Sequence, residues 1–168
     1  SYISDLYPIS GFNVSNVTDM SSMFASCIKI TDLNALDGWT PIKLKNLDYA
    51  FSSSRITSLD GLQNWYTPNL TKLNGTFSSC GYLNDVSGIR NWYMRNVTSM
   101  SNMFGNCSKL ENVDTLYSWN TSNVTNMERL FYGCKSLTDA EVLNSWSTVS
   151  LTNTTNMFQG AEKVSGRI

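Results

Sequence analysis

Residues 119–134 read WNTSNVTNMERLFYGC, residues 92–107 read WYMRNVTSMSNMFGNC, and residues 16–27 read NVTDMSSMFASC. Laid over one another, these stretches set a period that runs through the chain. Phe24, Phe51, Phe77, Phe104, Phe131 and Phe158 follow at intervals of 27, 26, 27, 27 and 27 residues. Trp39, Trp65, Trp92, Trp119 and Trp146 keep the same spacing, and Phe12 stands where a further Trp would fall. Apolar columns lie between the two aromatic series: Ile30, Ile56, Leu83, Leu110, Leu137 and Val164, then Leu33, Leu59, Val86, Val113 and Ala140, then Leu36, Leu62, Ile89, Leu116 and Leu143. A unit of this length cannot bury its apolar edge alone, so its stability must come from neighbouring copies.

Within NVTDMSSMFASC, Met20, Met23, Phe24 and Cys27 fall at i, i+3, i+4 and i+7, which predicts one face of a short helix. Thr18, Thr71, Thr98, Thr125 and Thr152 stand where such a helix needs an N-cap, and Thr125 with Glu128 matches a capping box. Lys45 breaks this column in the second copy. The segments KLENV and SLTDA predict a strand of four or five residues that pairs in parallel with its equivalent in the next copy. NALDG, DGLQN, VSGIR and LNS have the composition of turns. The fold expected is an α/β repeat: a leucine-rich-repeat-like right-handed solenoid of about six 27-residue coils, each with a short helix and a short parallel strand. Residues 1–168 form one such domain, and apolar columns uncapped at both ends suggest a fragment of a longer protein.

Through WNTSNVTNMERLFYGC and WYMRNVTSMSNMFGNC the chain resembles the BspA-type leucine-rich repeat surface proteins, in their variety with a repeat of roughly 26 residues. The resemblance implies an extracellular protein, anchored to the cell wall or surface or secreted, that adheres to host matrix or to other cells. It carries no catalytic residues. Thr76 and Thr154 at apolar columns, and Ser54 and Ala161 in the cysteine column, depart from the pattern.

Composition narrows the function classes. With 41% hydrophobic residues, the chain has the material for a core. Twelve basic and thirteen acidic residues are scattered singly, which argues against nucleic acid or an anionic membrane surface as partner. No stretch reaches the roughly 18 apolar residues of a membrane span. The absence of histidine removes the commonest general base and zinc ligand, so neither an enzyme nor a cofactor or metal site is expected. Cys27, Cys80, Cys107 and Cys134 follow the repeat and read as small buried hydrophobes. Asp32, Asp85, Asn112 and Asp139 read as Asx turns in preference to a calcium ladder.

The function expected is a surface adhesin or ligand-recognition repeat domain whose partner is a protein or glycan on a host or neighbouring cell. The alternative is a spacer or stalk that displays another domain. Candidate ligand-binding residues are those that leave the consensus. After the Trp, most copies carry small polar residues, whereas two read WYTP and WYMR; stacking would place Tyr66 beside Tyr93, with Met94, Arg95 and Arg90 close by. Those tyrosines either form a site or seal a seam between copies. A second candidate column is Lys29, Arg55, Tyr82 and Lys109.

Overall fold

The structure, a computed structural model, describes residues 2–164. Six copies of the repeat, coils one to six, are marked by Phe24, Phe51, Phe77, Phe104, Phe131 and Phe158. Their rings stack face to face from coil to coil at 5.6–6.0 Å, with interplanar angles between 4° and 17°. The indoles of Trp39, Trp65 and Trp92 form a second stack beside them. Phe77, Phe104 and Phe131 are wholly buried, and the Leu, Ile and Val columns fill the space around them. Each such side chain contributes roughly 1.5–3 kcal/mol from burial.

The expected α/β leucine-rich-repeat-like solenoid is corrected by the backbone. Among the described residues there is no α-helix and no β-strand; the regular elements are short 3-10 helices at Tyr7–Ile9, Asn34–Leu36, Asp60–Leu62, Ser87–Ile89, Asp114–Leu116 and Glu141–Ser145. They occupy the segments whose Gly, Asn and Asp content pointed to turns.

Where NVTDMSSMFASC predicted a helix, the chain makes consecutive turns. Ser22 and Ser26 take φ values of 56° and 58°, in the left-handed region that an α-helix excludes. The same pair of positions is left-handed in every coil, as at Tyr49 and Ser53, Gly75 and Ser79, or Asn102 and Asn106. Alternate N–H groups then leave the segment for the next coil: Met20 donates to the Asn46 carbonyl at 2.9 Å, and Ser22, Phe24 and Ser26 donate to Asp48, Ala50 and Ser52 at 2.8 Å each. The intervening donors close turns, with Met23 and Ala25 bonding Met20 and Ser22 at 3.2 Å. Gly and Asn tolerate positive φ, and Ser, like them, is a weak helix former that favours turns. Met23 shows the difference in packing, being 45% exposed where a helix would have turned it inward.

The threonines do not cap. Thr71, Thr98, Thr125 and Thr152 each send Oγ1 to a carbonyl of the preceding coil, at 3.1–3.4 Å. The Asn two residues before joins them: Asn69, Asn96 and Asn123 donate from Nδ2 to Ile42, Pro68 and Arg95 at 3.0, 2.8 and 2.6 Å. The capping box of Thr125 and Glu128 is likewise absent, since the Glu128 N–H donates to Asn126 Oδ1.

The strand is reduced to isolated parallel bridges. Five of them link the residue after each Thr, or after Lys45 in the second coil, in the series Asp19, Asn46, Lys72, Ser99, Asn126 and Asn153, and one, Ser58 to Asp85, lies in the segment where strands were expected. At the end of that segment the Asx bonds are present: Asp32, Asp85, Asn112 and Asp139 each accept the N–H two residues on, at 2.7–3.3 Å.

Candidate functional site

Two surface regions contain the residues that leave the repeat consensus. The first lies beside the Trp stack. Tyr66 and Tyr93 meet edge to face, centroids 6.1 Å apart and planes at 87°, across the seam between successive coil connections. Tyr66 is exposed and Tyr93 half-buried. Arg90 is exposed and donates from Nη1 to the Ser87 carbonyl at 3.2 Å. Arg95 is exposed, its carbonyl held by Asn123. Met94 is only 2% exposed and belongs to the core, so its side chain does not contribute to this surface.

The second region follows the cysteine column. Lys29 lies over the ring of Tyr2 at 5.6 Å, and the Arg55 guanidinium lies over Tyr82 at 5.9 Å. Between coils three and four the surface opens into a groove of about 410 Å³ lined by Thr57, Tyr82, Asn84, Lys109, Glu111 and Asn112. The structure thus brings Tyr82 and Lys109 to one groove, sets Arg55 against the Tyr82 ring outside the groove lining, and leaves Lys29 in coil one. Thr57, Asn84 and Glu111 were not singled out from sequence, and Asn112 was read only as an Asx turn. Their types are ordinary for an exposed turn, and only their adjacency to Tyr82 in the stack marks them.

The ionisable groups are arranged for packing. Burial pushes the thiols of Cys80 and Cys107 up and that of Cys134 to about 12. Each donates to the carbonyl of a Phe in the preceding coil: Cys80 to Phe51 at 3.1 Å, Cys107 to Phe77 at 3.2 Å and Cys134 to Phe104 at 3.0 Å. All four cysteines are buried and none forms a disulfide among the described residues. Asp19 is held below the ordinary carboxylate value by the backbone N–H of Ser21, 2.8 Å from Oδ1. Among the described residues no group of three or more Cys, Asp and Glu side chains gathers where it could hold a metal ion. None of the described helices is long and apolar enough to cross a membrane.

The family described as "Mycoplasma protein of unknown function, DUF285" matches residues 5–57 and 45–168. No curated protein matches the chain. Among solved structures, the chain is similar to a leucine-rich repeat protein from Bacteroides ovatus, at 13% identity and a TM-score of 0.35. The likeness covers 90% of this chain and 58% of that one, so the chain spans little more than half of its length.

These findings correct the BspA-type resemblance and what followed from it. The matching family is one of unknown function, and the coils have neither the helix nor the strand of a leucine-rich repeat. The adhesin or ligand-recognition reading depended on that scaffold and falls with it.

Proposed function

Because the chain belongs to this Mycoplasma family of unknown function, we propose its role from geometry alone: a non-catalytic structural element, a stack of coils that holds a fixed spacing. The observation that carries this reading is the indole ladder. Trp39, Trp65, Trp92, Trp119 and Trp146 donate from Nε1 to the carbonyls of Ile9, Leu36, Leu62, Ile89 and Leu116, at 2.9–3.2 Å, and so bind each coil to the one before. A buried polar group left unpaired costs about 1–3 kcal/mol, so each of these bonds restrains its seam to one geometry.

The chemistry of the side chains supports the non-catalytic part. No histidine is present to act as a base, and the buried thiols are held protonated, the opposite of an activated nucleophile.

The test is a distance measurement between spin labels at Ser21→Cys in coil one and Thr155→Cys in coil six. The background would carry Ser or Ala at the four native cysteines, as Ser54 and Ala161 already do. A single narrow distribution near five coil spacings is the result expected. A broad or multi-peaked distribution in the folded chain would overturn the spacing role.

A further inference from the structure

The seam between coils three and four differs from its neighbours. On the turn side it is closed: Phe77 donates to the Met103 carbonyl at 3.0 Å and Ser79 to Gly105 at 2.7 Å. On the opposite side it parts. Earlier and later seams there carry backbone bonds, Arg55 N–H to Ile30 at 3.1 Å, Asn84 to Thr57 at 3.1 Å and Thr138 to Glu111 at 3.0 Å. Between residues 82–85 and 109–112 no backbone bond is made; a side-chain bond from Ser108 Oγ to the Gly81 carbonyl, 3.3 Å, holds the near end. The aromatic columns register the same step. Phe77 to Phe104 is the longest spacing in its stack, at 6.0 Å, and no ring contact joins Trp92 to Trp119 among the described residues.

The glycine column also changes at this seam. In coils two and three, Gly61 and Gly88 lie so close to the backbone of Leu33 and Leu59 that an added Cβ would overlap those carbonyls. Coil four has Thr115 at this position. A branched side chain there does not by itself part the strand side, because Val142 fills the position in coil five and Thr138 still bonds Glu111 at 3.0 Å.

We propose that the groove between coils three and four, built on the exposed ring of Tyr82 and rimmed by Asn84, Lys109, Glu111 and Asn112, is a binding site for a neutral hexopyranose oligosaccharide. A pyranose has an apolar C–H face and a rim of hydroxyls that both donate and accept. Tyr82 is 53% exposed, with Arg55 of the preceding coil over its ring, and the groove beside it is lined by Thr57 of that coil as well as by Lys109, Glu111 and Asn112 of the following one. The rim supplies both hydrogen-bonding senses: amides at Asn84 and Asn112, donors at Lys109 and acceptors at Glu111. The parted backbone adds the carbonyl of Asn84 and the N–H groups of Glu111 and Asn112, none of which bonds to another of the described residues. The volume of about 410 Å³ falls within the range of about 300–1,000 Å³ usual for small-ligand sites.

Other ligand classes fit less well. Lys109 and Glu111 balance in charge, which disfavours a polyanion. An added peptide strand needs a run of open donors and acceptors, whereas here the Glu111 carbonyl is already bonded by Thr138 of the following coil.

The test is an amide-resolved NMR titration of the full chain with maltotriose and with N,N′,N″-triacetylchitotriose. The result expected is saturable shifts centred on Asn84, Glu111 and Asn112 with at least one of the two sugars. Tyr82→Ala should weaken binding by about tenfold or more, as loss of a stacking anchor does, while Tyr82→Phe and Tyr66→Ala leave it unchanged. Tyr82 is on the surface, so the unchanged amide spectrum of Tyr82→Ala away from the groove serves as the folding control. If neither sugar moves these amides, or if folded Tyr82→Ala binds as well as the unsubstituted chain, the saccharide site is refuted.

Discussion

Trp119 Nε1 donates to the carbonyl oxygen of Ile89, 3.0 Å away and 30 residues earlier in the chain. Both partners are buried, so this bond lies in the space between coils three and four where water does not replace it. Trp119→Phe keeps an aromatic ring and removes the donor. The expected loss of stability is about 1–3 kcal/mol, from the stranded carbonyl together with the missing indole volume. Urea unfolding measures it. An unchanged midpoint would show that the seam is held by other contacts and that the indole ladder is not what restrains it.

The repeat columns were legible because the side chains of equivalent positions meet their own kind in the stack, as Phe104 meets Phe131 at 5.9 Å. The local backbone was not. Apolar residues at i, i+3, i+4 and i+7 are compatible with a helix face and equally with successive turns that bury Met20, Phe24 and Cys27. What separates the two is the pair of left-handed positions four residues apart, held by Ser22 and Ser26 or by Asn102 and Asn106. Tyr49 and Arg129 conceal that signal, since neither residue type advertises positive φ. Of the groove, Tyr82 and Lys109 stood out in sequence, with Arg55 beside them, as members of the column before the expected strand. The opening itself had no signal in sequence: Thr115 replaces the glycines of coils two and three, but Val142 does the same at the next seam, where the backbone bond is kept.

Gly75 has a φ of 59°, and an added Cβ would fall within the ring of Tyr49 in the preceding coil. Gly75→Ala therefore combines backbone strain, about 1–2 kcal/mol for a left-handed residue with a Cβ, with displacement of the ring. A total loss of about 2 kcal/mol is expected. The double variant with Tyr49→Ala separates the two contributions: the clash disappears and the strain remains. Equal losses in both Tyr49 backgrounds would assign the whole effect to the backbone.

The thiol column makes stability depend on alkaline pH. An ordinary thiol here ionises near 9.0, whereas in the folded chain Cys134 is pushed up to about 12 and Cys107 well above the ordinary value by burial. Above about pH 9 the unfolded chain releases these protons and the folded chain keeps them, so ionisation favours unfolding. The stability is complete below that pH and falls as pH rises toward about 12, by about 1.4 kcal/mol per pH unit for each such thiol. Urea unfolding between pH 8 and about 10.5 should show the decline. A triple variant, Cys80→Ser with Cys107→Ser and Cys134→Ser, should show a shallower one. Parallel slopes in the two proteins would mean that the thiols do not carry the dependence.

Thr115 Oγ1 is buried and has no hydrogen-bond partner in the protein. The side chain stands in the position that Gly61 and Gly88 occupy in coils two and three, and its hydroxyl adds a desolvation cost. Thr115→Val keeps the branched shape and removes the hydroxyl, so it should raise stability by about 1 kcal/mol and leave the groove beside Tyr82 open. Thr115→Gly removes the side chain altogether and lets coil four approach Val86 as coil three approaches Leu59. The strand side should stay parted even so, because Val142 fills this position in coil five while Thr138 bonds Glu111 there at 3.0 Å. The amide protons of Glu111 and Asn112 report on this directly: their hydrogen exchange should stay fast in both variants. Slower exchange in Thr115→Gly alone would show that the size of residue 115 parts the seam after all.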